Sequence, residues 1–218
     1  MRLAEPATAL TDLVLAAQAW AYLWRFTRPI SILQPAPDRI RPWFATLFGA
    51  IAVGAAVGAA LHGPLDDQRT RLHRSLWRLS LASVGVAGLA TWAIAARMLL
   101  GRSQARALTS LAGLRLAGYV AFLLQGQATY RSAISQYLPG AGFLGIAFAS
   151  RLANDRDRRA SVYGLAALGL TAVGTLAQQR RWSLHPRHFD HNAVYHVIQG
   201  IAVALLARAA RGTSGRRA

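Results

Sequence analysis

The feature that most constrains this chain is a succession of long runs without a charged side chain: Trp43 to Leu61, Leu79 to Ala96, Ser132 to Ser150, Ala160 to Gln179 and Asn192 to Ala207. Each approaches the ~20 residues with which a helix crosses a ~30 Å hydrocarbon core. Two further runs hold one charge each, Ala7 to Trp24 with Asp12 and Ala107 to Tyr130 with Arg115. Backbone in lipid must satisfy its own hydrogen bonds, which only helices and closed barrels achieve, and the ~10-residue alternation of a barrel is missing. The expected fold class is all-α, an integral membrane bundle of seven transmembrane helices over approximately 7–26, 43–62, 76–97, 107–126, 132–150, 160–179 and 190–208. Residues 209–218 read as a basic disordered tail. The first run is kept as a helix and not as a cleaved leader, because Glu5 and Asp12 interrupt it and no short basic segment precedes it.

Composition agrees. Apolar residues make up 54% of the chain, with 19 glycines besides, and charged residues only 15%. That excludes a disordered chain and disfavours a water-soluble one. The formal charge of +17 points at first to nucleic acid. All 25 basic residues are arginines, however, and they flank the apolar runs, where they anchor helices and meet anionic headgroups. Membrane lipids, and no nucleic acid, are the expected partners. With the N-terminus outside, fifteen arginines fall inside and nine outside, so the positive-inside rule places the C-terminus in the cytoplasm of a multi-pass protein of the cell's inner (plasma) membrane. Arg115 lies within a run and calls for a carboxylate or an anionic lipid beside it. Cysteine is absent, which removes disulfides, thiolate metal sites and a cysteine nucleophile.

Function should reside where polar side chains enter the runs, because lipid makes them costly unless they meet partners. In the first run Glu5, Thr8 and Asp12 are spaced four and three apart and share one helix face. In the second, Ala50, Gly54, Gly58 and His62 step by four, a small-residue track ending in an imidazole. In the seventh, Asn192, His196 and Gln199 step by four and three, whereas His191 lies ~140° around the helix from His196. Runs one and seven cross in the same direction and run two in the opposite one. Asp12 and His196, near the starts of their runs, therefore reach the same membrane face as His62, at the end of its own. With the N-terminus outside, that face is extracytoplasmic.

These residue types suit metal-assisted hydrolysis. Zinc takes imidazole and carboxylate ligands and lowers the pKa of a bound water towards ~7. His62 and His196 are the expected ligands, with Asp12 as a third ligand or as the catalytic carboxylate that orients or deprotonates the water. Asn192, His191, Glu5, Thr8 and Gln199 are supporting groups or alternative ligands. Each also has a plainer reading: Asp12 with Thr8 as a clamp between helices, His62 as an interfacial residue, and His196 as a histidine bonded to a neighbouring helix.

EPATALTD (Glu5 to Asp12) together with HNAVYHVIQ (His191 to Gln199), on seven apolar runs, resembles an uncharacterised bacterial family of seven-helix membrane proteins classed as a domain of unknown function. More distantly the chain is similar to the superfamily of alkaline ceramidases and adiponectin-type receptors. That resemblance implies zinc held by a histidine on the second helix, here His62 in GAALH, and one on the seventh, here His196 in NAVYH. Gly58 and Asn192 stand where the superfamily has serine and histidine, and the third run has no carboxylate. The resulting expectation is a metal-dependent lipid amide or ester hydrolase. The alternative is a non-catalytic membrane protein that binds a lipid or small ligand as a sensor or helper subunit.

Overall fold

The computed structural model describes residues 5–28, 39–155, 157–185 and 188–214. Seven helices follow one another among these residues: α1 (Pro6–Thr27), α2 (Arg41–His62), α3 (Arg71–Leu99), α4 (Arg102–Leu124), α5 (Tyr130–Ala153), α6 (Arg158–Gln179) and α7 (His191–Ser214). The sequence also dictates where several begin. Pro6 and Pro42 occupy first-turn positions, where a missing N–H costs nothing. The Thr70 and Thr129 hydroxyls accept from the N–H groups of His73 and Ser132, capping α3 and α5. Arg41, opening α2, donates to the carbonyls of Phe26, Arg25 and Arg28 and so covers the open end of α1.

Five helices, α2, α3, α4, α6 and α7, are long and apolar enough to cross a membrane. The expectation of seven spans is narrowed accordingly. In α1 the residues Asp12, Gln18 and Arg25 dilute the apolar run, and in α5 Arg131, Gln136 and Arg151 do the same. Several of these polar groups are buried between helices, as Asp12 and Gln136 are, so they lower hydropathy without facing lipid. Boundaries shift too. Helix α3 begins at Arg71 and α4 at Arg102, each five residues before its expected start. The seventh helix runs on to Ser214 through most of what reads as a disordered tail, because Ala209, Ala210 and Thr213 are buried and the Thr213 hydroxyl donates to the Ala209 carbonyl. Residues 215–218 lie outside the described residues.

Six helices close a ring in the order α1, α2, α3, α5, α6, α7, with α2 also touching α7, while α4 sits outside the ring against α3. One half of the ring is filled by a continuous core. It contains Phe26 from α1, Phe44 and Phe48 from α2, Ile94 from α3, Phe148 from α5 and Val203 from α7. These come from the later parts of α1, α3 and α5, the middle of α7 and the early part of α2, away from Asp12, His62 and His196. The polar residues are thereby left to the opposite end.

Close approach of backbones sets this packing. A Cβ built on Gly140 of α5 would lie 2.8 Å from the Gly88 carbonyl oxygen of α3, a backbone atom that cannot swing aside. Gly140→Ala is therefore expected to cost roughly 1–3 kcal/mol, read as a lower unfolding midpoint in detergent. Gly142→Ala, where nothing lies within 4 Å, is the control and should not lower it.

Candidate functional site

At the end of the bundle opposite the core, α1, α2 and α7 bring two carboxylates onto two imidazoles. The outer pair joins the start of α1 to the end of α2. The Glu5 N–H donates to the His62 carbonyl at 2.9 Å, and the Glu5 carboxylate meets His62 Nδ1 at 2.8 Å. Both side chains are partly open, 43% exposed for Glu5 and 27% for His62. Local sequence forces the arrangement: Pro6 starts α1 immediately after Glu5, and Gly63 and Pro64 follow His62 where α2 ends.

The inner pair lies one to two turns deeper. Asp12 Oδ1 stands 3.3 Å from His196 Nε2, with the side chains 3% and 11% exposed. His196 Nδ1 lies 3.4 Å from the Thr11 hydroxyl oxygen, whose own hydrogen is directed at the Ala7 and Thr8 carbonyls of α1. A hydrogen on Nε2 would be donated to the Asp12 carboxylate, and one on Nδ1 would face the Thr11 hydroxyl. The second Asp12 oxygen, Oδ2, is buried without a hydrogen-bond partner. The two imidazoles are 6.3 Å apart, centroid to centroid.

Gly58 makes room for the inner pair. A Cβ there would stand 2.7 Å from Asp12 Oδ2 and 3.1 Å from its carboxyl carbon. The small-residue track of α2 thus lets a carboxylate, and not only a backbone, come close. A serine at this position would compete for the space that Asp12 fills.

A third carboxylate fixes α7. Asp190 accepts from the Thr8 hydroxyl at 2.8 Å and from the Ala193 N–H at 2.9 Å, capping α7 and tying it to α1. Burial pushes the Asp190 carboxyl up, but the Ala193 N–H, the Thr8 hydroxyl and neighbouring His191 outweigh it and hold the group below the usual aspartate range. Lower down, Gln18 of α1 donates to the Gly200 carbonyl and adds a second tie.

Of the residues expected from sequence, Glu5, Asp12, His62 and His196 come together. Thr8 bonds to Asp190 at the cap of α7 and Asp12 meets His196 on α7, so the two together join α1 to α7. Asn192 turns away to α6, where its side-chain oxygen accepts from Gln178. His191 flanks Asp190, and Gln199 lies about one turn below His196 with Oε1 buried and unpartnered. Asp190 and Thr11 escaped the sequence reading. The signal for Asp190 was an aspartate immediately before a helical run, an N-cap preference; Thr11 had no signal beyond adjacency to Asp12. The donor set for zinc is right in kind, and Asp12 and His196 stand at the ~3.3 Å separation of two atoms sharing a tetrahedral ion with bonds near 2.0–2.1 Å. A third ligand is lacking, since among the described residues no three His, Cys, Asp or Glu side chains come together to hold a metal ion.

The class defined by the helices is a multi-helix membrane protein with a polar centre at one end. Residues 7–214 match the Family of unknown function (DUF6962), and the chain belongs to that family. No curated protein and no solved structure matches the chain. None of these comparisons supports a likeness to alkaline ceramidases and adiponectin-type receptors.

Two outcomes follow. Gly58→Ala should destabilise by roughly 1–3 kcal/mol, and by clearly less in an Asp12→Ala background, a coupling measurable in a double-mutant unfolding cycle. Asp190→Ala should cost about 1–2 kcal/mol at pH 7. Because its folded pKa is depressed, the stability Asp190 adds is present above about 3.9, the unfolded value, and lost as pH falls through the lower folded one. The gap between wild type and variant should therefore be smaller at pH 3 than at pH 7, as read by unfolding.

Proposed function

We propose that the chain is a membrane protein that binds a small ligand or a lipid headgroup at the α1–α2–α7 cluster. The observation that carries this reading is Asp12 Oδ2, a carboxylate oxygen buried in an apolar bundle with no donor beside it. Such a group is costly unless something supplies a hydrogen bond or a positive charge. The half-open Glu5–His62 pair lies between it and the surface and gives a ligand its way in. If the N-terminus is outside, as the arginine count supports, the opening faces the extracytoplasmic side.

The hydrolase is a second reading, favoured by the Asp12–His196 spacing. A zinc ion held there by Asp12 and His196, with His62 moving in, would supply a water acidic near neutral pH. The Glu5 contact to His62 Nδ1 leaves Nε2 as the free nitrogen and orients the ring, as carboxylates do for metal-bound histidines.

One preparation tests both readings. Protein extracted in mild detergent is expected to retain a lipid or small molecule, visible by native mass spectrometry, and Asp12→Asn should lose most of it while remaining folded. Equal retention in wild type and Asp12→Asn would overturn the binding reading. About one zinc per chain, lost in both His62→Ala and His196→Ala, would move the assignment to the hydrolase.

A further inference from the structure

The arginines divide by where their guanidiniums go. Most stand exposed near helix ends. Arg115, inside α4, spends its Nε and Nη2 hydrogens on the Gln136 side-chain oxygen and the Ser135 carbonyl of α5, at 2.9 and 2.8 Å, so neutral oxygens stand where the sequence calls for a carboxylate or a lipid. Arg97 differs. It lies two residues before the end of α3 and is only partly exposed, with its side chain turned back along the helix. Nη1 donates to the Ala93 carbonyl and to the Thr109 hydroxyl of α4, both at 2.9 Å, while the Thr109 hydrogen goes to the Ala105 carbonyl. The guanidinium carbon lies over the Trp43 ring of α2, 4.8 Å from its centroid.

Both bonds fall on Nη1. The Nε and Nη2 hydrogens, which point the same way and match two oxygens of a phosphate or carboxylate, meet no acceptor among the described residues. Arg97 is thus held on three sides with its bidentate edge left open. Charge around it has one sign. Arg39, exposed in the turn before α2, is close enough for its charge to act on Arg97. Glu5, Asp12, Asp66, Asp67 and Asp190 lie at the opposite end of the bundle. Asp155 and Asp157, between α5 and α6, face Arg158 and Arg151. Among the described residues no carboxylate offsets the Arg39–Arg97 pair, an arrangement that favours an anion between the two guanidiniums.

We propose that Arg97 and Arg39 form a binding site for an anionic phospholipid, whose phosphate takes the open edge of Arg97 and whose acyl chains lie in the groove between α2 and α4. Both helices pack on α3 but not closely on each other, so α3 floors a groove with Trp43 on one wall and Thr109 on the other. Only 17% of the apolar window of α4 is buried, which leaves that wall open to lipid. Depth decides for a lipid over a free anion. At ~1.5 Å per residue the 29 residues of α3 are about 43 Å long against a ~30 Å hydrocarbon core, so its ends stand in the headgroup layers. The guanidinium, drawn back to the level of Ala93, lies about 9 Å from the Leu99 end, where the hydrocarbon begins. A phosphate at that depth has hydrocarbon beside it in the groove, which a lipid supplies with its own chains. Trp43 is the kind of side chain that settles at this level. The site is independent of the α1–α2–α7 cluster, which lies at the other end.

The full-length protein in mild detergent is titrated with phosphatidylglycerol or phosphatidylcholine of the same acyl chains, and bound lipid is counted by native mass spectrometry. Phosphatidylglycerol is expected to bind roughly tenfold more tightly, and Arg97→Gln should weaken it by roughly tenfold. Arg97→Lys, which keeps the charge but not the two-hydrogen edge, should lose most of that affinity as well. Arg39→Gln, at an exposed position, should weaken binding roughly fivefold. Arg159→Gln removes an exposed charge at the same end of the bundle but outside the groove and should leave the affinity unchanged. Equal affinity for the two lipids, no effect of Arg97→Gln in a folded protein, or an equal loss in Arg159→Gln would overturn the proposal. Should Arg97→Gln fail to fold, unchanged affinity in Arg39→Gln would overturn it equally. So would release of the bound phosphatidylglycerol by water-soluble glycerol phosphate, which would assign the site to a free phosphate.

Discussion

A carboxylate inside an apolar helix bundle has almost no water to stabilise it, and the architecture around Asp12 follows from that constraint. The nearest compensating group is His196, carried by the last helix, so the first and last helices must lie side by side. Thr8 with Asp190 and Gln18 with the Gly200 carbonyl secure the same contact at two further levels. The second carboxylate, Glu5, repeats the solution nearer the surface with His62. There it costs less, because both side chains still reach solvent.

Packing makes the pairing possible. Large core residues, Phe44, Phe48 and Phe148 among them, fill the far half of the ring, and small residues line the near part of α2. Without Gly58 the Asp12 carboxylate would have no room, and α1 would have to stand off from α2. Rigidity at one end thus supports a polar, adaptable centre at the other. A ligand entering that centre would meet two acid–imidazole pairs, one half-open and one enclosed, rather than a single preformed cage.

Much of this was legible in the chain. Spacing alone put Glu5 and Asp12 on one helix face, and the alternating direction of successive helices brought His62 and His196 to the same end. Partner choice was not legible. Thr8 and Asp12 share a face and both reach across to α7, as a clamp between helices requires, but which groups they meet, Asp190 and His196, depended on how the start of α7 lies against α1. Asn192 holds the matching position on α7 but turns to α6, since rotation of a helix about its axis is set by all its neighbours and not by its own periodicity. The count of seven helices was legible too, whereas only five are apolar enough to cross a membrane, because polar groups depress the hydropathy of α1 and α5.

By itself the sequence determined that the backbone is helical, that most of its charges lie near helix ends, and that His62, His196 and Asp12 gather at one end of the bundle. Those properties depend on local hydrogen bonding, apolar run length and the parity of crossings. Tertiary structure alone decided that six helices close a ring with α4 outside it, that each carboxylate pairs with its own imidazole, and that Arg115 rests on neutral oxygens. These depend on which helix faces come within a few ångströms of each other, and many rotations and neighbour orders are compatible with the same periodic pattern.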